Sequence, residues 1–174
     1  MANRDLLRLL VVAVLLLGMA SPASARLYLG LGAAYWELDD RGQREWSDFA
    51  LGGLVGVRIN RNISVESRLI KGGSDTDLGR ERELEWAHST LVRPVLPLGY
   101  DSNLYVLVGV TSFRFSSGSG GPVWHATELE PTFGAGYEFM VGRRSFFGVE
   151  YVQYSGTSRA TFRSVNAGLR WQFE

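Results

Sequence analysis

The sequence predicts an all-β chain, an eight-stranded antiparallel up-and-down transmembrane β-barrel. Three observations lead there. Beyond the first residues, short stretches alternate small or charged residues with bulky apolar ones. The connections between these stretches alternate between short and long. No part of this region sustains the 3.6-residue apolar period of a helix.

Residues 1–25 are read apart, as an export address. Arg4 and Arg8 give a positive start, and Leu9 to Leu17 is an unbroken apolar run. Gly18 loosens it, and Ser21-Pro22-Ala23-Ser24-Ala25 supplies small residues in an Ala-x-Ala order. This is the layout of a secretory signal peptide, with cleavage expected between Ala25 and Arg26. A spanning helix needs about 20 apolar residues, and this run is shorter. The expected domain is then 26–174.

The chain carries 18 Lys and Arg and 18 Asp and Glu, of which Arg4, Arg8 and Asp5 fall in the leader. With no basic excess, nucleic acid is not an expected partner. No cysteine is present, so no disulfide supports the exported domain.

Eight stretches follow in order. In 26–38, Leu27, Leu29, Leu31, Ala33 and Tyr35 share one face, and Tyr28, Gly30, Gly32, Ala34 and Trp36 the other. In 48–60, Phe49, Leu51, Val55, Val57 and Ile59 oppose Ala50, Gly52, Gly56 and Arg58. In 63–71, Val65 and Leu69 alternate with Glu66 and Arg68. In 82–96, Leu84, Trp86, His88 and Val92 oppose Glu83, Glu85, Ser89 and Arg93. The stretch 103–115 has two faces that are hard to tell apart. In 126–140, Phe133, Tyr137 and Phe139 alternate with Glu128, Glu130, Gly134, Gly136 and Glu138. In 145–154, Phe147, Val149 and Tyr151 alternate with Gly148, Glu150 and Val152. In 159–173, Val165, Leu169, Trp171 and Phe173 oppose Asn166, Gly168, Arg170 and Gln172.

Short connections at 61–62, 98–102 and 141–144 are expected on the periplasmic side. Longer polar ones at 39–47, 72–81 and 116–125 are expected outside, although the last loop, 155–158, is short. An even strand count puts both ends of the domain in the periplasm.

Which face is inside decides between a soluble and a membrane barrel. The polar face mixes charges with glycine, which suits the crowded interior of eight strands. The apolar face carries Trp86, Phe133, Tyr137, Phe139, Phe147, Tyr151, Trp171 and Phe173, which suit lipid and its interfaces. The expected lumen network is Arg58, Glu66, Arg68, Glu85, Arg93, Glu128, Glu130, Glu138, Glu150 and Arg170. Opposite charges there should pair, because a lone buried charge is costly.

The ending Asn166-Ala167-Gly168-Leu169-Arg170-Trp171-Gln172-Phe173 resembles the C-terminal β-signal of outer-membrane proteins, carried here by Asn166, Gly168, Trp171 and Phe173. That family usually stops at the aromatic residue, whereas Glu174 follows here. Gly134-Ala135-Gly136-Tyr137-Glu138-Phe139, Val149-Glu150-Tyr151 and Ser64-Val65-Glu66-Ser67-Arg68 resemble strands of the OmpA-like, opacity-type outer-membrane β-barrel domain of the porin family. The resemblance implies a Gram-negative cell envelope, recognition by the barrel-assembly machinery, contact with outer-membrane lipid and lipopolysaccharide, and a monomer. The peptidoglycan-binding domain that follows the barrel in larger relatives has no counterpart in this sequence.

The residues give little sign of chemistry. Lipid A deacylases resemble this chain in architecture and carry His-x-Ser-Asn late in the sequence. The similar place here reads Gln153-Tyr154-Ser155-Gly156, and glutamine cannot take the serine proton. His88 and His125 have no Ser or carboxylate at a spacing that implies a dyad; His88 and Ser89 point to opposite faces of a strand. Asp75, Asp77 and Glu81 lack the spacing of a calcium loop. No metal, cofactor or catalytic residue is expected. Ser116 to Gly121 reads as a flexible loop tip. The expectation is a non-enzymatic outer-membrane barrel with a filled lumen, serving envelope structure or surface interaction. A lipid A-modifying barrel and a soluble periplasmic ligand-binding barrel are the alternatives.

Overall fold

The computed structural model describes residues 26–39, 45–77, 80–117, 124–125, 130–154 and 161–173. The leader with Ala25, the acid Glu128, Ser155 with Gly156, and Glu174 lie outside the described residues.

The described strands are β1 (Arg26–Asp39), β2 (Glu45–Arg58), β3 (Ile63–Lys71), β4 (Ser74–Asp77), β5 (Arg80–Pro97), β6 (Ser102–Ser117), β7 (Trp124–His125), β8 (Glu130–Gly142), β9 (Ser145–Tyr154) and β10 (Thr161–Gln172). Eight of them form the wall, in the cyclic order β1, β2, β3, β5, β6, β8, β9, β10. Every neighbour is antiparallel, and β1 pairs with β10 from Tyr28↔Gln172 to Asp39↔Thr161 to close the ring. Closure leaves no unpaired edge, which a sheet in hydrocarbon requires.

The two short strands extend hairpins at the end opposite the tight turns. Four residues of β4 pair with β5 from Ser74↔Glu83 to Asp77↔Arg80. The sequence reading takes that segment as loop, and the structure corrects it. Gly72 and Gly73 adopt φ of 99° and 91°, which only glycine enters freely, and the chain turns without leaving the ladder. Gly72 N–H donates to Leu84 O at 3.2 Å, and Leu84 N–H donates to Gly73 O at 2.9 Å. Pairing therefore resumes immediately beyond the kink.

Period two sorts the wall into faces. The outward face is apolar and exposed, as at Leu31, Phe49, Leu51, Val106, Phe133, Val149, Tyr151 and Val165. The inward face holds the buried residues, both polar and apolar. This is the inverse of a soluble barrel. Strand β5 breaks the alternation: its register with β6 shifts between Leu84 and Trp86. The bulge turns Leu84 inward, where it is fully buried, and leaves Ala87 as the next buried residue on the inner face.

Candidate functional site

The lumen contains two layers. The charged layer lies toward the tight-turn end and is supplied by β1, β3, β5, β6, β8, β9 and β10. Glu66 is 0 % exposed and Arg93 1 %. Glu66 accepts from Tyr28 Oη at 2.6 Å and from Arg68 Nε at 2.7 Å. Arg68 also bridges Glu150, partly through Nη2 to Oε2 at 3.2 Å. Arg93 Nη2 lies 2.6 Å from Glu138 Oε2. Arg170 donates to Glu138 at 2.8 Å and to Glu150 at 3.0 Å, so it ties two carboxylates together.

Neutral groups complete the set. Tyr105 Oη donates to Glu150 at 2.9 Å and accepts from Arg170 at 3.3 Å. The Arg93 guanidinium stacks 3.9 Å from the Tyr105 ring centre. Asn103 donates to Glu138 at 3.0 Å and Asn166 to Glu150 at 3.1 Å. Each carboxylate thus has several donors, which is how charge is tolerated away from water.

Two glycines make room for the phenols. A Cβ on Gly56 would meet the Tyr28 ring at 2.3 Å, and one on Gly136 would meet the Tyr105 ring at 2.5 Å. A side chain at either place would push its tyrosine off its carboxylate. Above them, Ser89 Oγ, Thr111 Oγ1 and Thr132 Oγ1 form a chain of 2.7 Å contacts.

The second layer is aromatic and lies toward the loop end. Trp36 packs on Phe115 at 5.6 Å between ring centres, and Phe162 lies 5.3 Å from Phe115 and 5.4 Å from Phe113. Tyr154 stacks on Phe162 at 4.4 Å. Leu38, Trp46, Leu84 and Ala87 complete this buried cluster. The sequence reading misses the layer. Its signal was present in the inward side chains Trp36, Phe113, Phe115 and Phe162, but outward aromatics masked it.

The predicted network is brought together only in part. Glu66, Arg68, Arg93, Glu138, Glu150 and Arg170 meet in one cluster. Arg58 faces the same end of the lumen but makes no ion pair, contrary to expectation, because the three carboxylates are already taken. Glu85 is also a correction: the bulge carries it out of the lumen, and it pairs with Arg114 at 2.7 Å, both partly exposed. Glu130 lies at the loop end of β8, opposite Thr111, rather than in the cluster. Glu128 is outside the described residues. Of the terminal-strand residues, Asn166 and Gly168 line the inner wall, whereas Trp171 and Phe173 are exposed on the outer one.

One contact that the sequence reading excludes is present. Ser67 Oγ lies 2.9 Å from His88 Nε2 on the outer wall, because β3 and β5 place Ser67 diagonally beside His88. Among the described residues no carboxylate contacts His88, so the ring lacks the partner that would orient it as a base. No group of three or more His, Cys, Asp or Glu able to hold a metal occurs among the described residues.

An inverted barrel, apolar outside with a buried cluster of charges within, is the architecture of a membrane protein, and the family comparison agrees. A family model described as outer membrane protein beta-barrel domain matches residues 9–173. The chain belongs to this family. It is an outer-membrane barrel. No curated protein matches its sequence significantly. Among solved structures it is similar to Ail, the attachment invasion locus protein of Yersinia pestis, with 16% identity and a TM-score of 0.65, over 86% of this chain and 99% of that one. Neisserial surface protein A is similar at 13% identity and a TM-score of 0.68, over 84% and 97% of the two chains. The N-terminal barrel domain of Pseudomonas aeruginosa OprF is similar at 12% and 0.61, over 86% and 98%. At these identities the likeness concerns the fold.

Proposed function

We propose that this protein is a non-enzymatic barrel of the Gram-negative outer membrane, sealed to solutes, that serves envelope structure and surface interaction through its outer loops. The observation that carries the reading is the filling of the lumen by two successive layers, one of ion pairs and one of rings. A barrel closed in this way leaves the loops as the part available to other molecules. Neighbours named as an attachment invasion locus protein and as a surface protein support a role at the cell surface. One structure of Ail holds a heparin analogue, sucrose octasulfate, so a barrel of this shape can present a site for a sulfated sugar.

The remaining parts of the reading follow from the same chemistry. Residues 1–25 are removed after Ala25 during export. The last strand, through Asn166, Gly168, Trp171 and Phe173, is read by the barrel-assembly machinery. The outer wall contacts phospholipid and lipopolysaccharide directly as a monomer. Among the described residues, no acid–base–nucleophile set supports lipid A modification.

Two cysteine variants test the topology on intact cells. Gly120→Cys in an outer loop should react with a membrane-impermeant maleimide, and Asn60→Cys in a tight turn should react only after permeabilisation. The reverse pattern overturns the orientation. Loss of lipid A acyl chains on expression, abolished by Ser67→Ala or Ser155→Ala, would favour the enzyme instead. Recovery in the soluble periplasm would end the membrane reading.

A further inference from the structure

Among the described residues, the charges around the lumen cluster do not balance. Four arginines, Arg58, Arg68, Arg93 and Arg170, face three glutamates, Glu66, Glu138 and Glu150. The glutamates are fully engaged. Glu66 holds Arg68 and Tyr28, and Glu150 holds Arg68, Arg170, Tyr105 and Asn166. On Glu138, Oε2 meets Arg93 at 2.6 Å and Arg170 at 2.8 Å, while Oε1 accepts from Asn103 at 3.0 Å. Nothing is left for Arg58.

Arg58 closes the tight-turn end of β2, at the periplasmic mouth. Its Nε is shut off from solvent and has no hydrogen-bond partner, and the same holds for Gln172 Nε2; the Nε atoms of Arg93 and Arg170 also lack a hydrogen bond, but each of these guanidinium groups is ion-paired to a glutamate. Both are donors, and both line one small cavity of about 10 Å³ with Tyr28, Arg93, Glu138, Phe146 and Arg170. Directly across the β1–β2 ladder from Arg58 stands Arg26, a second cation on the inner face. Like charges set opposite each other repel. Among the described residues, the neighbouring turns add Arg61, Arg143 and Arg144, with Asp101 as an acid.

Water could satisfy two stray donors, but it cannot offset a net positive charge. An anion does both, because a charge-assisted hydrogen bond is about twice as strong as a neutral one. The size of the space limits the choice: it is close to that of one water, so a chloride ion, somewhat larger, enters only if the flexible Arg58 and Gln172 side chains give slightly. A phosphate group with four oxygens would remain outside. We propose that the periplasmic mouth binds one chloride-sized monovalent anion, held by the Arg58 guanidinium and the Gln172 side-chain amide.

Chloride NMR line broadening tests this on the refolded, full-length mature barrel in non-ionic detergent. The expected result is a saturable excess width that bromide displaces. Arg58→Met should weaken binding roughly tenfold or more, since a hydrogen bond to a charged group is lost. Arg58→Lys should retain most of it. Gln172→Leu keeps the charge and should weaken binding by a smaller factor, which preserves the test if Arg58→Met fails to fold by heat-modifiable gel mobility. The proposal is overturned if wild-type protein shows no saturable broadening. It is also overturned if Arg58→Met and wild type broaden alike, or if only phosphatidylglycerol bicelles, and not chloride, engage Arg58.

Discussion

Between Glu66 and Arg170 the lumen is a network of charge; between Trp36 and Phe162 it is a stack of rings. Both fill the same narrow tube, but they constrain it differently. Each guanidinium in the charged layer has named acceptors at fixed geometry, so a strand that slipped by one residue would turn its charges into lipid. The aromatic layer has no such partners. It excludes water by contact alone and tolerates small shifts. The charged layer therefore specifies which register the strands adopt, and the aromatic layer fills the loop end of the tube.

The largest effect is expected where one cation holds two acids. Arg170→Met removes two buried charge-assisted hydrogen bonds, one from Glu138 and one from Glu150, and should destabilise the barrel by about 3–5 kcal/mol in urea unfolding from lipid vesicles. A loss under about 1 kcal/mol would mean that the network does not hold the wall. In the other layer, Phe162→Ala removes the ring shared by Trp36, Phe113, Phe115 and Tyr154. It should cost about 3 kcal/mol, and the cost should not vary with salt. A salt-dependent loss there would erase the distinction between the layers.

How much of this was legible in the sequence differs by layer. The alternation of Glu66 and Arg68 with Val65 and Leu69, and of Glu138 and Glu150 with Tyr137 and Val149, identifies inward charge directly, because lipid excludes it. The aromatic layer was hidden because both faces of β6 are apolar. Leu104, Val106 and Val108 face lipid, while Tyr105, Leu107, Phe113 and Phe115 face the lumen. Glu85 was misplaced for a different reason. A bulge adds one residue to the count, and neither Leu84 nor Trp86 announces it. Contacts between distant strands, such as Arg170 with Glu138, depend on closure of the ring and not on local pattern.

Two smaller effects sharpen the comparison. Gly136→Ala would drive a methyl group into the Tyr105 ring and disturb its bond to Glu150. The expected loss is about 1–3 kcal/mol by the same unfolding assay, as for other overpacked interiors. Glu85→Gln acts on a partly exposed pair with Arg114 and should change stability by less than about 1 kcal/mol. If it matched Arg170→Met, burial would not be what gives the lumen network its strength.

The claim that both layers together close the tube is tested most directly by conductance across a planar lipid bilayer. The purified barrel should insert without steady ohmic current, and should begin to conduct only when alanine replaces Phe113, Phe115 and Phe162 of one layer together with Arg93 and Arg170 of the other. A stable open conductance from the unaltered protein would contradict the account.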